Sequence, residues 1–402
     1  MPNYRNLKIA LGIEAAAVAL CAVLLASGVT PGTEPSQSQA PDRKAVSAED
    51  SRDLKQTAAG IWKKESAENQ DAGRNADSKN PDSEQKDYIK WVDFDVTAEA
   101  MKRACQYDTD TYGKEVHLDW IDLLAILGAK YGGDFKRYRA DDLDSIAETL
   151  LSGESAVGDY TKDMKYFPYY REAYGAVLGG MVGEYQLEQP PGTDSRPEKS
   201  EAESAEETSA HWKSCYGLKA FSPIAKGFPY SDFDDFGAAR SYGYRRSHLG
   251  HDMMGQVGTP IISVESGKVT ALGWNQYGGW RIGIESFDGK RYYYYAHLRQ
   301  NRPYAEGLKE GDIVQAGDVI GYMGRTGYSK KENVNNIDES HLHFGLQLIF
   351  DESQREGSGE IWVSGYELVR FLSGNRSEVI RNDETKEWTR IYQIQDPSVP
   401  AS

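Results

Sequence analysis

Cysteine is scarce in this chain of 402 residues, which contains only Cys21, Cys105 and Cys215. Cys21 lies in an apolar run, so at most one disulfide, between Cys105 and Cys215, is available to the rest of the chain. No CxxC pair is present, and such pairs are common ligands of small structural zinc sites. The sequence therefore excludes a fold built on disulfides and a cysteine-based zinc knuckle.

Basic residues are in the minority as well, because 46 Lys and Arg stand against 62 Asp and Glu and give a net charge of −16. A protein that binds phosphate backbones in general needs a surface rich in Lys and Arg. We therefore expect no nucleic acid among the partners. An internal repeat of about 20–50 residues, the mark of repeat architectures, is not visible either.

A long apolar run occurs near the N-terminus, where Arg5 and Lys8 precede 21 residues from 9 to 29 that only Glu14 interrupts. A helix of that length reaches about 31 Å, enough to span a bilayer core. Residues 1–30 are predicted to be an uncleaved membrane anchor, or alternatively a signal peptide cleaved near Ser27. Both interpretations place the rest of the chain outside the cytoplasm, in a single-pass membrane protein or in one secreted to the cell wall.

The remaining chain divides into segments that differ in polar content and in the period of their apolar residues. Residues 31–87 and 188–211 are polar and lack any apolar period, which is typical of a disordered stalk and a disordered linker. Residues 88–187 are predicted to form a helical domain and residues 212–375 a β domain, followed by a C-terminal tail at 376–402.

Apolar residues in the first of these domains recur with the helical period. The positions between 143 and 150 and those between 170 and 181 both follow i, i+3, i+4, i+7 spacing. Residues 117–131 are apolar enough to predict a central helix. The aromatic cluster 166–170 is interpreted as core and helix entry, with a ligand platform as the alternative.

The second domain changes to period two. Residues 281–287 alternate between apolar and polar, Asp288-Gly289 is a strong turn signal, and residues 290–298 return as a strand. Glycines recur at short intervals, as expected of a compact antiparallel β domain.

Histidines cluster in this domain, and their spacing suggests a shared site. On a strand from 341 to 350, side chains alternate between two faces. His341 and His343 then project side by side, with Gly345 and Gln347, from the face opposite an apolar one. The apolar face consists of Leu342, Phe344, Leu346, Leu348 and Phe350.

Upstream, His248 and Asp252 share a face if the intervening chain is extended. Neutral imidazole and carboxylate suit Zn²⁺, and three protein ligands leave the fourth position for water. His251 is predicted to point away from that face. His297 ends a strand and is predicted to share one face with Tyr293 and Tyr295.

These segments together resemble the lysostaphin/LytM-type zinc metallopeptidases. The resemblance covers about residues 215–350 and rests on four pieces in order, namely His248-x-Gly-x-Asp252, YAHL ending at Leu298, the segment GDIVQAGDVIGYMGRTG, and HLHF from His341. It implies a fold of the duplicated hybrid motif kind for the β domain, with an N-terminal helical domain before it.

The resemblance also implies the chemistry. His248, Asp252 and His343 correspond to the zinc ligands, and His297 and His341 to the catalytic pair, whose individual roles stay open. The implied activity is that of an exported metalloendopeptidase, a hydrolase of peptide bonds in bacterial peptidoglycan. Tyr242 or Tyr244 could add an oxyanion donor, although packing is the alternative.

Other interpretations remain. GDIVQAGDVIG is also similar to hairpins of biotinyl and lipoyl carriers, but the Lys-Met pair of those carriers is missing. A histidine phosphocarrier of related topology would need no Asp252. The alternative from a different class is an exported, non-catalytic module that binds the wall or serves as a scaffold. Residues 88–187 resemble the domain that precedes this peptidase domain in some Firmicutes proteins, and could bind a protein partner.

Overall fold

The structure, a computed structural model, describes residues 88–189, 211–241, 245–355 and 359–400. The predicted membrane segment 1–30 and stalk 31–87 lie outside these residues, as does most of the linker 188–211. Among the residues described, no helix combines the length and the apolar character needed to cross a membrane.

Helices form at the three segments where the sequence predicts them, and two further helices lie within residues 88–187. The helix predicted from residue 117 begins instead at Trp120, because the Asp119 carboxylate accepts hydrogen bonds from the backbone N–H groups of Ile121 and Asp122. The described residues contain the helices α1 Ala98–Thr111, α2 Trp120–Tyr131, α3 Ala140–Leu151, α4 Val157–Thr161, α5 Phe167–Leu178 and α6 Tyr366–Leu372.

Strands dominate from residue 182 onward, and every strand pair among the residues described is antiparallel. The strands are β1 Val182–Gln189, β2 His211–Leu218, β3 Ser231–Asp232, β4 Ala239–Ser241, β5 Arg245–Ser247, β6 His251–Met254, β7 Pro260–Ile262, β8 Gly267–Asn275, β9 Gly279–Ser286, β10 Arg291–Ala296, β11 Ile313–Val314, β12 Val319–Tyr322, β13 His341–Leu348, β14 Ile361–Val363, β15 Val379–Arg381, β16 Trp388–Arg390 and β17 Ile394–Gln395. The largest sheet has the order β11-β8-β9-β10-β13-β6-β3, with β14 also paired to β13.

The prediction of a mainly antiparallel β domain is confirmed by this sheet. The hairpin predicted around Asp288-Gly289 joins β9 and β10, and Gly289 has φ +70°, a conformation that glycine adopts without strain. The duplicated hybrid motif stays a prediction. Cys105 and Cys215 are both free, so the one disulfide that the sequence allowed is not formed.

The helices and the large sheet share a single hydrophobic core and belong to one compact unit. Trp120 of α2 packs against Phe371 of α6 with 5.8 Å between ring centroids. Arg291 of β10 is 1% exposed, and its Nη1 donates a hydrogen bond to the carbonyl oxygen of Ala176 in α5. The helical residues therefore pack directly against the sheet.

A small sheet joins distant parts of the chain, with the order β17-β1-β2. β1 and β2 pair in register from Val182–Leu218 to Gln189–His211, so the two ends of the predicted linker 188–211 lie in neighbouring strands. The predicted C-terminal tail contains β15, β16 and β17, and β17 pairs with β1.

Candidate active site

The predicted histidines line one pocket of about 370 Å³ on the large sheet. β13 contributes two of them, as the alternation predicted: Leu342, Phe344, Leu346 and Leu348 are buried in the core, while His341 and His343 face the pocket. β13 lies between β10 and β6, so its side chains meet groups from both neighbours. His343 is directly opposite Asp252 of β6 in the register of the two strands.

Three side chains in this pocket bring ligand atoms together, namely His248, Asp252 and His343. Nε2 of His248 lies 3.1 Å from Oδ1 of Asp252 and 3.0 Å from Nδ1 of His343. The third side of the triangle, between Nδ1 of His343 and Oδ1 of Asp252, is 2.9 Å. These are the three residues that the sequence predicted as zinc ligands, and the structure brings them together.

The triangle fits a zinc ion. Tetrahedral ligands that lie 2.0–2.1 Å from Zn²⁺ stand about 3.3–3.4 Å apart, close to the separations found here. Two imidazoles and one carboxylate are also the donor types that catalytic zinc sites use, and three protein ligands leave one position open. Of the residues described, no other group of His, Cys, Asp and Glu side chains has this arrangement.

Gly250 of the segment between His248 and Asp252 makes room for this cluster. A Cβ atom at Gly250 would lie 2.5 Å from Nε2 of His343, closer than real Cβ contacts allow. The glycine of the His-x-Gly-x-Asp segment is therefore needed for space beside the imidazole of His343.

The charges of the cluster follow from burial and from the neighbouring groups. Burial alone would raise the pKa of Asp252, but the contacts with His248 and His343 outweigh it and hold the pKa well below its usual range. Burial lowers the pKa of His343, which favours the neutral imidazole that can bind a metal.

His297 lies beside the cluster in a strained conformation. It follows β10 with φ +61°, in the left-handed region that side chains other than glycine rarely adopt. The prediction that His297 shares a face with Tyr293 and Tyr295 is wrong, because this turn breaks the alternation. Both tyrosines are buried in the core, whereas His297 enters the pocket, with its ring centroid 4.8 Å from that of His341.

The hydrogen bonds of the two remaining histidines fix their tautomers. Nδ1 of His297 lies 2.9 Å from the carbonyl oxygen of Thr326, and Nδ1 of His341 lies 2.9 Å from that of Glu339. A carbonyl oxygen can only accept, so both Nδ1 atoms carry hydrogen, and each Nε2 has a lone pair in the neutral ring. Burial holds the pKa of His297 well below its ordinary value, and the nearby His341 and His343 lower it further.

Comparison with known proteins agrees with this geometry. The profile of peptidase family M23 matches residues 246–355, which include all five predicted site residues. Residues 246–355 form a peptidase family M23 domain.

Relatives of the M23 domain are found among curated proteins and solved structures. An L-Ala--D-Glu endopeptidase of Bacillus subtilis is 41% identical over 130 residues, 32% of this chain and 38% of that protein. Lysostaphin of Staphylococcus simulans is 39% identical over 98 residues, 24% of this chain and 17% of lysostaphin. The structure of lytM from Ruminococcus gnavus has 24% identity and a TM-score of 0.44, and the match spans 72% of this chain and 92% of that one. The chain thus spans well under half of the two curated relatives.

Two polar residues that support the M23 domain's cluster were missed by the sequence reasoning. Nδ1 of His248 lies 3.1 Å from Oδ2 of the buried Asp235, which orients the ring so that Nε2 faces Asp252. Nη2 of Arg240 donates to Oδ2 of Asp252 at 3.1 Å and also binds Asp235. Neither residue belongs to a recognisable motif, so only their position in the fold identifies them.

Other residues near the pocket separate into those that line it and those that do not. His251 lies outside it, 2.8 Å from Asp232 through Nε2, which confirms the prediction that it points away. Tyr294 of β10 also lines the pocket, with its ring centroid 5.9 Å from that of His343. Tyr242 and Tyr244, the proposed oxyanion donors, lie outside the described residues.

Proposed function

We propose that this protein is an exported zinc metalloendopeptidase that hydrolyses peptide bonds of bacterial peptidoglycan. The observation that carries the proposal is the triangle of ligand atoms from His248, Asp252 and His343 with two further imidazoles in the same open pocket. The name of the Bacillus subtilis relative adds support, since that protein is an L-Ala--D-Glu endopeptidase. The N-terminal segment 1–30 would hold the protein at the outer face of the membrane, or would be removed on secretion.

We assign Zn²⁺ to His248 Nε2, Asp252 Oδ1 and His343 Nδ1. Bound there, the ion supplies Lewis acidity, which lowers the pKa of water and polarises a peptide carbonyl. Asp235 keeps Nε2 of His248 free of hydrogen by accepting a hydrogen bond from Nδ1, and Arg240 holds the second oxygen of Asp252. The chain's own groups thereby fix the direction of the lone pairs on His248 and Asp252.

His297 is assigned the role of general base. Its Nδ1–H is held by Thr326, so its Nε2 lone pair is available to accept a proton from the attacking water. The low pKa keeps this imidazole neutral around pH 7, which is the form that a base requires. The proton then passes to the nitrogen of the departing amine as the C–N bond breaks.

His341 is assigned the role of hydrogen-bond donor to the oxygen of the scissile carbonyl. Its Nδ1–H is held by Glu339, and its Nε2 lies 3.8 Å from Oδ1 of Asp252, on the side of the ligand cluster. In its imidazolium form, which carries hydrogen on both ring nitrogens, His341 would donate from Nε2 to the negative charge that develops during attack. The two histidines therefore have different roles. His297, after β10, is the base, and His341, in β13, is the hydrogen-bond donor.

Alanine variants test these roles by two independent measurements, the zinc content of the purified protein and the release of soluble fragments from peptidoglycan sacculi. His248→Ala, Asp252→Ala and His343→Ala are expected to lose both zinc and activity. His297→Ala and His341→Ala are expected to keep about one zinc per chain yet lose activity by about 10²-fold or more, the usual contribution of a positioned acid or base.

His251→Ala is the matched control, because this neighbouring histidine of β6 points away from the pocket. It should retain the zinc and the activity of the wild type. Loss of zinc in His297→Ala, or full activity in His341→Ala, would overturn the division of roles. A wild-type protein that binds no zinc and releases no fragments would favour the alternative of an exported wall-binding module.

A further inference from the structure

Arg246 of β5 lines the same pocket and takes no part in the chemistry assigned above. Its guanidinium carbon lies 5.3 Å from the ring centroid of Tyr328 and 5.7 Å from that of Tyr277, so the cation is held against two aromatic faces. Nη2 of Arg246 also donates to the hydroxyl of Tyr328. The side chain is therefore fixed in place before any substrate binds.

One hydrogen-bond donor of the Arg246 side chain has no acceptor among the residues described. Nε of Arg246 is buried, and none of the described residues accepts a hydrogen bond from it. A buried donor without an acceptor costs free energy, so it is a position that a bound ligand can satisfy. No carboxylate among the described residues forms an ion pair with Arg246, so its positive charge is also unpaired there.

The other arginine of the pocket differs in this respect. Arg240 contacts the carboxylates of Asp235 and Asp252, and its charge is therefore balanced within the protein. The ring of Tyr328 lies between Arg246 and His297, the assigned base. Its centroid is 5.9 Å from that of the His297 ring. A group bound to Arg246 would lie close to a bond positioned for attack.

We propose that Arg246 is a specificity-determining residue that binds a substrate carboxylate next to the scissile bond. Guanidinium and carboxylate form charge-assisted hydrogen bonds, which are stronger than those to a neutral amide. Asp338 and Glu339 line the same pocket and would repel a carboxylate, which restricts an acidic substrate group to the neighbourhood of Arg246. The inference rests on the proposed function and narrows its substrate to peptides with a free carboxylate at this site.

The test compares two peptides that contain an L-Ala–D-Glu bond and differ only in the free carboxylate of the D-Glu residue, which is replaced by a carboxamide in the second peptide. We expect the full-length wild type to cleave the carboxylate peptide with a kcat/KM about 10- to 100-fold higher, the range that hydrogen bonds to charged groups provide. Arg246→Gln should remove that preference by slowing cleavage of the carboxylate peptide alone. Arg246→Lys, which keeps the charge but not the planar fork, should retain part of it.

The carboxamide peptide reports whether the variants are folded and active, and Arg137→Gln, an exposed arginine on the helical side, is the matched charge control. An equal loss on both peptides in Arg246→Gln, or equal cleavage of both by the wild type, would overturn the inference and leave the proposed function standing. If the wild type cleaves neither peptide, calorimetry decides. Tighter binding of the carboxylate peptide that is lost in Arg246→Gln supports the inference, and equal binding of both peptides overturns it.

Discussion

Two buried ionic clusters lie on opposite faces of the large sheet, and they differ in how completely their charges are balanced within the protein. On the core face, Arg291 donates to both oxygens of Glu265 at 2.8 and 3.0 Å, and the Tyr293 hydroxyl donates to one of them at 2.7 Å. Nη1 of Arg291 is satisfied by Ala176 of α5. The charged groups of this cluster are therefore satisfied within the protein, and the bond to Ala176 links the helices to the sheet.

On the pocket face, one oxygen of Asp252 accepts from Arg240, and the other meets imidazoles instead of permanent donors. His248 and His343 direct ring nitrogens at one carboxylate oxygen, and those nitrogens can bind a metal only when they carry no hydrogen. A cluster of this kind gains less stability from its own contacts and retains lone pairs for a ligand. The large sheet thus carries a structural ionic cluster on one face and a cluster suited to a ligand on the other.

The largest expected effect is on folding and comes from the core face. Arg291→Met should lower the free energy of unfolding by about 3–5 kcal/mol, because it leaves the Glu265 carboxylate buried without its partner. Urea denaturation measures the change. Combining it with Glu265→Gln should cost less than the two single changes added together, since the pair acts as a unit. If Arg291→Met lowers the free energy of unfolding by less than about 1 kcal/mol, the core-face cluster does not stabilise the fold in the way proposed here.

The second effect is a pH dependence from the pocket face. In the metal-free protein the pKa of His297 lies well below the value of about 6.5 expected in the unfolded chain. Between these two pKa values the unfolded chain binds more protons, so stability is complete above pH 6.5 and declines as the pH falls. The loss should reach about 2 kcal/mol by pH 5.

Chemical denaturation in a chelator at pH 7.5 and pH 5 measures this dependence. His297→Ala should reduce the loss but not abolish it, because the pKa of His343 is lowered as well. An unchanged loss in the variant would mean that the burial of His297 does not govern the acid response.

The third effect concerns the space around His343. Gly250→Ala should weaken zinc binding by about 10-fold or more, because the added methyl group displaces a ligand ring while leaving every ligand atom in the chain. Competition with a chromophoric chelator measures the affinity. Gly158→Ala is the matched control, since nothing lies within 4 Å of a Cβ atom there. A wild-type affinity for zinc in Gly250→Ala would show that the His343 imidazole can move away from the added methyl group and still bind the ion.

The smallest effect is expected from a cut in the segment between β1 and β2. An engineered protease site within residues 190–210 should yield two fragments that still elute together, because β1 pairs with β2 and the helices share the core of the sheet. Size-exclusion chromatography of the cleaved protein checks this. In the cleaved Arg291→Met variant, dissociation should need less urea. Separation of the wild-type fragments without denaturant would mean that the helical residues form a body of their own.

The local patterns in the sequence anticipated one half of this site well. Alternation along 341–348 placed His341 and His343 together, and the short motif brought His248 and Asp252 to the same position. Such predictions succeed because the period of a strand is a property of a few neighbouring residues.

Features that depend on distant parts of the chain were not predictable in this way. The turn at His297 depends on backbone hydrogen bonds with Gly278 and Gly324. The alternation of side chains along a strand gives no information about such distant partners. Asp235 and Arg240 reach the cluster only because the chain before β6 folds over it. The pairing of β1 with β2 likewise crosses a polar segment that the composition suggested would separate two bodies.

If the protein is exported as proposed, the small sheet also sets the order in which the chain folds. β1 pairs not only with β2 but also with β17, near the end of the sequence, and α1 packs on α6. A chain that leaves a translocation channel with its N-terminal end first would deliver the early helices long before these partners. Their apolar faces would stay uncovered until residue 372 has emerged, which is a slow, long-range closure that exposes the chain to aggregation and to extracytoplasmic proteases. With the proposed export, we therefore expect the protein to depend on a holding chaperone outside the membrane more than the size of its M23 domain alone would suggest.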